Sequence, residues 1–179
     1  NAPMRTDVMV PPVLSRVVEQ VDGRLRNHLA AERDRWIGLN PTLVDAFDTL
    51  ARFVGHGGKR LRPAFCLIGY EAADGTPDRS GAAIDAAAAL ELLHAFALIH
   101  DDVMDGSCVR RGEATLHMQW RGKHRRSVWR GDERRFGEGV AILLGDLAFV
   151  LADTVLGDVP APARRVYDEL RLELHVGQY

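Results

Sequence analysis

The sequence predicts an all-α fold, a bundle of about six helices, on three observations. Apolar residues recur at threes and fours along most of the chain. No segment sustains the alternation of β-branched and polar residues that marks a strand. Breaks rich in Gly, Pro, Asn and Asp come at short intervals, so successive helices lie side by side.

Residues 1–12, with Pro3, Pro11 and Pro12, read as a loose leader without a signal-peptide pattern. A first helix is predicted over residues 13–36, with Leu14, Val17, Val18, Val21, Leu25 and Leu29 on one stripe. Asn40-Pro41-Thr42 breaks the chain and opens a second helix, with Leu43, Ala46, Phe47 and Leu50 on one face. A glycine-rich turn at 55–58 leads into a third helix over 59–73, stopped by Asp74-Gly75-Thr76-Pro77. A long alanine- and leucine-rich helix follows over 80–105, and its alanines at 86–89 permit close helix approach. Residues 106–133 read as irregular, apart from a short helix near 116–120. An apolar helix spans 136–156, residues 157–162 break it, and an amphipathic helix from Ala163 is still running at Tyr179.

Composition removes several functional classes. The 179 residues are 46% hydrophobic and 27% charged, ordinary globular values that argue against disorder. A net charge of −2 gives no bulk attraction to nucleic acid or an anionic membrane. The basic run at 121–135, with Trp120 and Trp129 nearby, is therefore not read as a nucleic-acid patch. Cys66 and Cys108 are too few for a disulfide scaffold or a zinc cluster. Free thiols are the default, and with them a reducing, cytoplasmic location. No apolar run approaches the ~18 residues of a membrane span.

The long helix ends in His100-Asp101-Asp102-Val103-Met104-Asp105. Asp101 and Asp105 stand one turn apart on one face, and His94 lies within about 20° of each. Negative charge at a helix C-terminus opposes the macrodipole by ~0.3–1 kcal/mol per charge, so a cation is wanted there. Oxygen donors in this arrangement suit Mg²⁺, which binds one or two carboxylates and completes its shell with water and phosphate oxygens. A solvated helix end is the plainer alternative. A zinc site on His94 and His100 is disfavoured, because the two lie about 240° apart around the helix.

Two basic groups flank this stripe. Arg110-Arg111 either neutralises the acidic cluster or grips an anion bridged by the metal. Gly57-Gly58-Lys59-Arg60-Leu61-Arg62-Pro63 is not a Walker loop, since Arg60 stands where Ser or Thr must follow the lysine. Glycines, a helix start and the Lys59–Arg62 pair still favour an anion there, with an ordinary charged surface as the alternative.

Taken together, these motifs resemble the trans-prenyl diphosphate synthases of the all-α isoprenoid synthase fold, an orthogonal helix bundle. Residues 57–63 match the family's GGKRxRP segment, and 101–105 match its first aspartate-rich motif, DDxxD. Arg110-Arg111-Gly112 follows at the family spacing, Gly145-Asp146 fits a later position, and Gly177-Gln178 fits the GQ of a following helix.

The resemblance implies a prenyltransferase that condenses an allylic diphosphate with isopentenyl diphosphate. Asp101 and Asp105 would hold Mg²⁺, with Asp102 in support, and Arg110 would contact the allylic diphosphate. Gly58, Lys59, Arg62, His94 and Arg111 would bind the diphosphate of isopentenyl diphosphate. Phe96 and Ala97, five and four residues before DDxxD, resemble the chain-length positions of short-chain geranylgeranyl diphosphate synthases. A helical wheel puts Phe96 about 140° from Asp101, so geometry alone does not make it a tunnel floor. Cys108 departs from the polar or acidic residue more usual at its position.

The resemblance also implies a homodimer, to which apolar faces such as Val166, Leu170, Leu174 and Gly177 would contribute. Residues 13–179 would form the N-terminal half to two-thirds of one synthase domain, trimmed or truncated, with the C-terminal helices absent. A second aspartate-rich motif and allylic-site lysines would lie beyond it, so the chain alone would hold half of a metal site and be inactive. The alternatives are a non-catalytic partner subunit, a farnesyl-type product, or a terpene cyclase. Lys59, Arg62 and His94 argue against the cyclase, which has no need of an isopentenyl site.

Overall fold

Helical periodicity dominates the chain, and the computed structural model, which describes residues 12–56, 58–76 and 80–179, is built from it. The leader expected over 1–12, apart from Pro12, lies outside the described residues, as do Gly57 and Pro77. Helix α1 spans Pro12–Ile37, and a 3₁₀ turn at Pro41–Leu43 leads into α2, Val44–Gly55. Helix α3 spans Leu61–Ala72 and α4 spans Gly81–Met104. Strands β1, Val109–Arg110, and β2, Glu113–Ala114, form a small hairpin. Helices α5, Leu116–Arg126, α6, Glu133–Leu156, and α7, Ala161–Gln178, complete the order.

Local chemistry sets the helix ends. Asn40 Oδ1 accepts from the Thr42 N–H at 3.1 Å, and Pro41 occupies the first turn that follows. Asp132 caps α6, accepting from the N–H groups of Arg134 at 2.8 Å and Arg135 at 3.1 Å. Those two backbone bonds hold its carboxyl below the usual carboxylate range. Gly157, at φ 58°, ends α6 in a conformation that suits glycine.

The core is organised around α4. Its Ala87, Ala88, Ala89 and Leu92 are fully enclosed, because small side chains let neighbouring helices approach closely. Its most extensive partner is α6, which contributes Ala141, Leu144, Ala148 and Ala152. Gly145 of α6 lies under the His100 ring, where a Cβ would sit 2.3 Å from the imidazole. The Gly145 motif position is thus a packing requirement. Val17, Val21, Leu25 and Leu29 place α1 on the core, as their spacing predicts.

Several sequence expectations change, among them the start of α6, which lies at Glu133 rather than 136 because Asp132 caps it. The segment near 116–120 extends to Arg126, making seven α-helices among the described residues where about six were expected. Its buried face uses His117, Trp120 and His124, which a search for aliphatic periodicity passes over. The region also holds a two-stranded hairpin, too short to show alternation. Helix α7 starts two residues early, at Ala161, because Pro162 sits in its first turn rather than in the break before it. Finally, α4 and α6 are each long and apolar enough, by length and composition alone, to cross a membrane. Isolated polar residues such as Glu91 and Asp146 interrupt the apolar runs without making these helices polar on average, and here the two pack on each other at the centre of the bundle.

The α5–α6 crossing generates a paired prediction. A Cβ on Gly137 would stand 2.3 Å from the His117 carbonyl oxygen, whereas one on Gly139 meets nothing within 4 Å. In urea unfolding, Gly137→Ala should cost about 1–3 kcal/mol by forcing the helices apart. Gly139→Ala should instead gain up to about 1 kcal/mol of helix propensity.

Candidate active site

A cavity of about 680 Å³ opens between α2, α3, α4 and the hairpin. Gly58, Lys59, Arg62, His94, Arg110 and Arg111 all line it. The two basic motifs, about 50 residues apart in sequence, therefore meet at one space, at a helix N-terminus of the kind that attracts anions.

Each motif splits its neighbouring basic residues between inside and outside. In the glycine-rich turn, Lys59 and Arg62 are exposed, while Arg60 is buried in a left-handed conformation at φ 47°, ψ 37°. In the hairpin, both loop residues have positive φ, Arg111 at 53° and Gly112 at 84°, as a two-residue type I′ loop demands. Arg110, on β1, points back to α4, and Arg111 stands at the tip. Arg111 Nη1 donates to the His56 carbonyl at 3.1 Å, joining the hairpin to the end of α2.

Two buried carboxylates of α4 hold the inward arginines. Arg60 Nη1 donates to Glu91 Oε2 at 2.6 Å, and both side chains are nearly enclosed, at 5% and 6% exposure. Arg60 Nε donates to Asp22 Oδ1 of α1 at 2.9 Å, and Nη2 donates to the Val54 carbonyl of α2 at 2.9 Å. Asp102, 2% exposed, accepts from Arg110 Nε on both oxygens, at 3.0 and 2.9 Å. That bond raises the Arg110 pKa further, so the guanidinium is permanently charged. Asp102 is thus turned toward Arg110, and its influence on the site runs through that side chain.

His94 sits half-buried among these cations. Burial first, then the charges of Arg62, Arg111, Arg110 and Arg60, push its pKa down to about 4. It is a neutral imidazole at physiological pH.

The acidic end borders a second space. Asp101 is half-buried and Asp105 exposed, one turn apart at the end of α4. A cavity of about 190 Å³ lies between α4 and α7, lined by Phe96, Ala97, Asp101, Met104, Leu174 and His175. The helical wheel separates Phe96 from Asp101, but a groove between two helices borders both. The Phe96 ring meets His100, Phe149 and His175 at centroid distances of 4.7, 4.9 and 5.5 Å. The polar stripe read from sequence is thereby divided, His94 lining the first cavity and Asp101 the second.

Among the described residues, no group of three or more His, Cys, Asp or Glu converges on a metal position. Asp101 and Asp105 alone are a two-carboxylate oxygen donor set, which fits Mg²⁺ completed by water and phosphate. His100 bonds to the Ile142 carbonyl at 3.1 Å and lies 3.5 Å from Asp146, so it serves the α4–α6 contact. Sequence reasoning missed Glu91 and Asp22. A lone acid inside an apolar helix was the available signal for Glu91, because such a group must find a cation.

Residues 45–179 match the family profile described as Polyprenyl synthetase. The chain belongs to the polyprenyl synthetase family. Within that family, a geranylgeranyl diphosphate synthase of Methanosarcina mazei is 40% identical over 155 residues, covering 86% of this chain and 41% of the relative. A short chain isoprenyl diphosphate synthase of Methanothermobacter thermautotrophicus is 36% identical over 141 residues, covering 78% and 34%. The solved geranylgeranyl pyrophosphate synthase of Corynebacterium glutamicum, complexed with isoprenyl diphosphate and magnesium, superimposes with a TM-score of 0.75 at 40% identity, covering 80% of this chain and 41% of that one. This polyprenyl synthetase chain thus spans about two fifths or less of the length of these relatives.

The depressed His94 pKa has a measurable consequence. Folding favours the neutral imidazole, since its folded value of about 4 lies below the ordinary 6.5. The stabilising contribution is complete above pH 6.5 and is lost as pH falls toward 4. His94→Gln should therefore flatten the decline in stability between pH 6.5 and 4, measured by denaturant unfolding at several pH values. An unchanged pH profile would contradict the assignment.

Proposed function

We propose that the full-length protein is a Mg²⁺-dependent prenyltransferase that extends an allylic diphosphate with isopentenyl diphosphate, ending at geranylgeranyl diphosphate. One observation carries the reading. A single helix, α4, presents a strongly basic cavity on one flank and, at its end, Asp101 beside an apolar cavity with Asp105 one turn further on. The ligands of the Corynebacterium glutamicum synthase, an isoprenyl diphosphate and magnesium, support it.

In this reading Lys59, Arg62 and Arg111 neutralise the diphosphate of isopentenyl diphosphate, and neutral His94 adds a hydrogen bond. Their fixed positions aim its double bond at the allylic carbon. Asp101 and Asp105 would hold Mg²⁺, which when bound supplies Lewis-acid stabilisation of departing pyrophosphate. Arg110, braced by Asp102, stabilises the negative charge that develops there. The allylic C–O bond breaks, the double bond forms the new C–C bond, and a proton is lost to the departing pyrophosphate. No protein nucleophile is needed. The apolar cavity keeps water from the cation, and Phe96, with Ala97 beside it, limits the length of the chain that enters.

Exposed apolar side chains on α7, Val166, Leu170 and Leu172 among them, would be covered in a homodimer. The free cysteines fit a cytoplasmic location.

The deciding assay incubates full-length protein with Mg²⁺, isopentenyl diphosphate and farnesyl diphosphate. Pyrophosphate and a C20 product are expected, and a folded protein without turnover would point to the non-catalytic partner subunit. Asp101→Ala should lower Mg²⁺-dependent turnover about 10²-fold or more while leaving helix content unchanged. Retained activity would remove Asp101 from the metal site. Phe96→Ala should shift the products to longer chains, read by chromatography, and an unaltered distribution would show that Phe96 is not the floor.

A further inference from the structure

Arg60 carries the one basic side chain of the glycine-rich turn that does not reach solvent. Its side chain is 5% exposed, and Nε, Nη1 and Nη2 all donate to fixed acceptors: Asp22 on α1, Glu91 on α4 and the Val54 carbonyl of α2. Those donors are not available to a diphosphate. Its backbone is held at φ 47°, a left-handed conformation uncommon for a residue other than glycine. Its own carbonyl nevertheless accepts the Ala64 N–H at 3.0 Å, opening α3. The basic residues that flank it in sequence, Lys59 and Arg62, both line the basic cavity.

We propose that Arg60 is a positioning residue for the isopentenyl diphosphate site. Its buried bonds to three helices impose the left-handed turn, and that turn aims Lys59 and Arg62 at one anion. Arg60 itself does not touch substrate. A residue that follows local preference at this position would rotate the start of α3 and separate the two cations. The proposal rests on the prenyltransferase reading of the basic cavity.

Stability and positioning are separable here. Removing one partner of a buried pair strands the other charge, whereas replacing both with apolar residues is often neutral for stability. The test therefore compares wild type with Arg60→Lys and with the double variant Arg60→Met, Glu91→Leu, in full-length protein. Lysine keeps the charge but loses the planar fork that reaches three acceptors. Binding of isopentenyl diphosphate is followed by calorimetry, with thermal unfolding and steady-state kinetics alongside.

Both variants should bind isopentenyl diphosphate about tenfold or more weakly, with its KM raised in step. The KM for the allylic diphosphate and kcat should stay within about threefold, because Glu91 lies about 15 Å along the helix from Asp101. The double variant should regain melting temperature without regaining affinity. Wild-type affinity in either folded variant overturns the proposal, as does a loss that merely tracks the unfolded fraction. Wild-type protein that fails to bind isopentenyl diphosphate at all would instead sink the prenyltransferase reading.

Discussion

Two buried carboxylates, Glu91 and Asp102, make the rest of the site physically possible. Six cationic side chains, Arg52, Lys59, Arg60, Arg62, Arg110 and Arg111, line one cavity. Two unit charges about 6 Å apart repel by roughly 3 kcal/mol at an effective dielectric near 20, so such a group needs compensation. Glu91 compensates Arg60 and Asp102 compensates Arg110, which lowers the repulsion among the cations that line the cavity. The dependence is mutual. Either carboxylate without its arginine would be an uncompensated buried group, which is strongly destabilising.

The same pairing explains why both basic motifs contain adjacent charged residues. In each, one arginine pairs with a buried carboxylate of α4, Arg60 with Glu91 and Arg110 with Asp102, and a neighbouring cation lines the cavity. A left-handed residue makes the reversal in both places, Arg60 in the turn and Arg111 at the hairpin tip. Helix α4 acts as the ruler. Glu91 and Asp102 are eleven residues apart, or about 16 Å, so the two anchors and the aspartates at the helix end have set spacings. Packing against α6, with Gly145 beneath His100, holds that ruler in the core.

The long helices were legible because their apolar residues repeat at helical spacing. The stripe on α1 and the alanine run of α4 are both buried. Helix α5 was half-hidden because it buries His117, Trp120 and His124, residues that do not advertise a core face. The start of α7 was misplaced because Pro162 breaks a helix interior yet is tolerated in a first turn. At the site, sequence spacing identified which residue types belong together. It did not reveal that Arg60 spends its donors on buried acceptors while Lys59 and Arg62 face the cavity. That division depends on Asp22, Glu91 and Val54, brought in by tertiary contacts from three helices. The wheel likewise placed His94 with Asp101, while the packed structure assigns them to different cavities.

The most direct measurement is a crystal structure of the full-length protein soaked with isopentenyl diphosphate. Diphosphate density is expected between Lys59, Arg62, His94 and Arg111, with the Arg60–Glu91 and Arg110–Asp102 pairs intact behind it. Diphosphate bound elsewhere, or Arg60 withdrawn from Glu91 to reach it, would contradict the division between anchoring and binding residues.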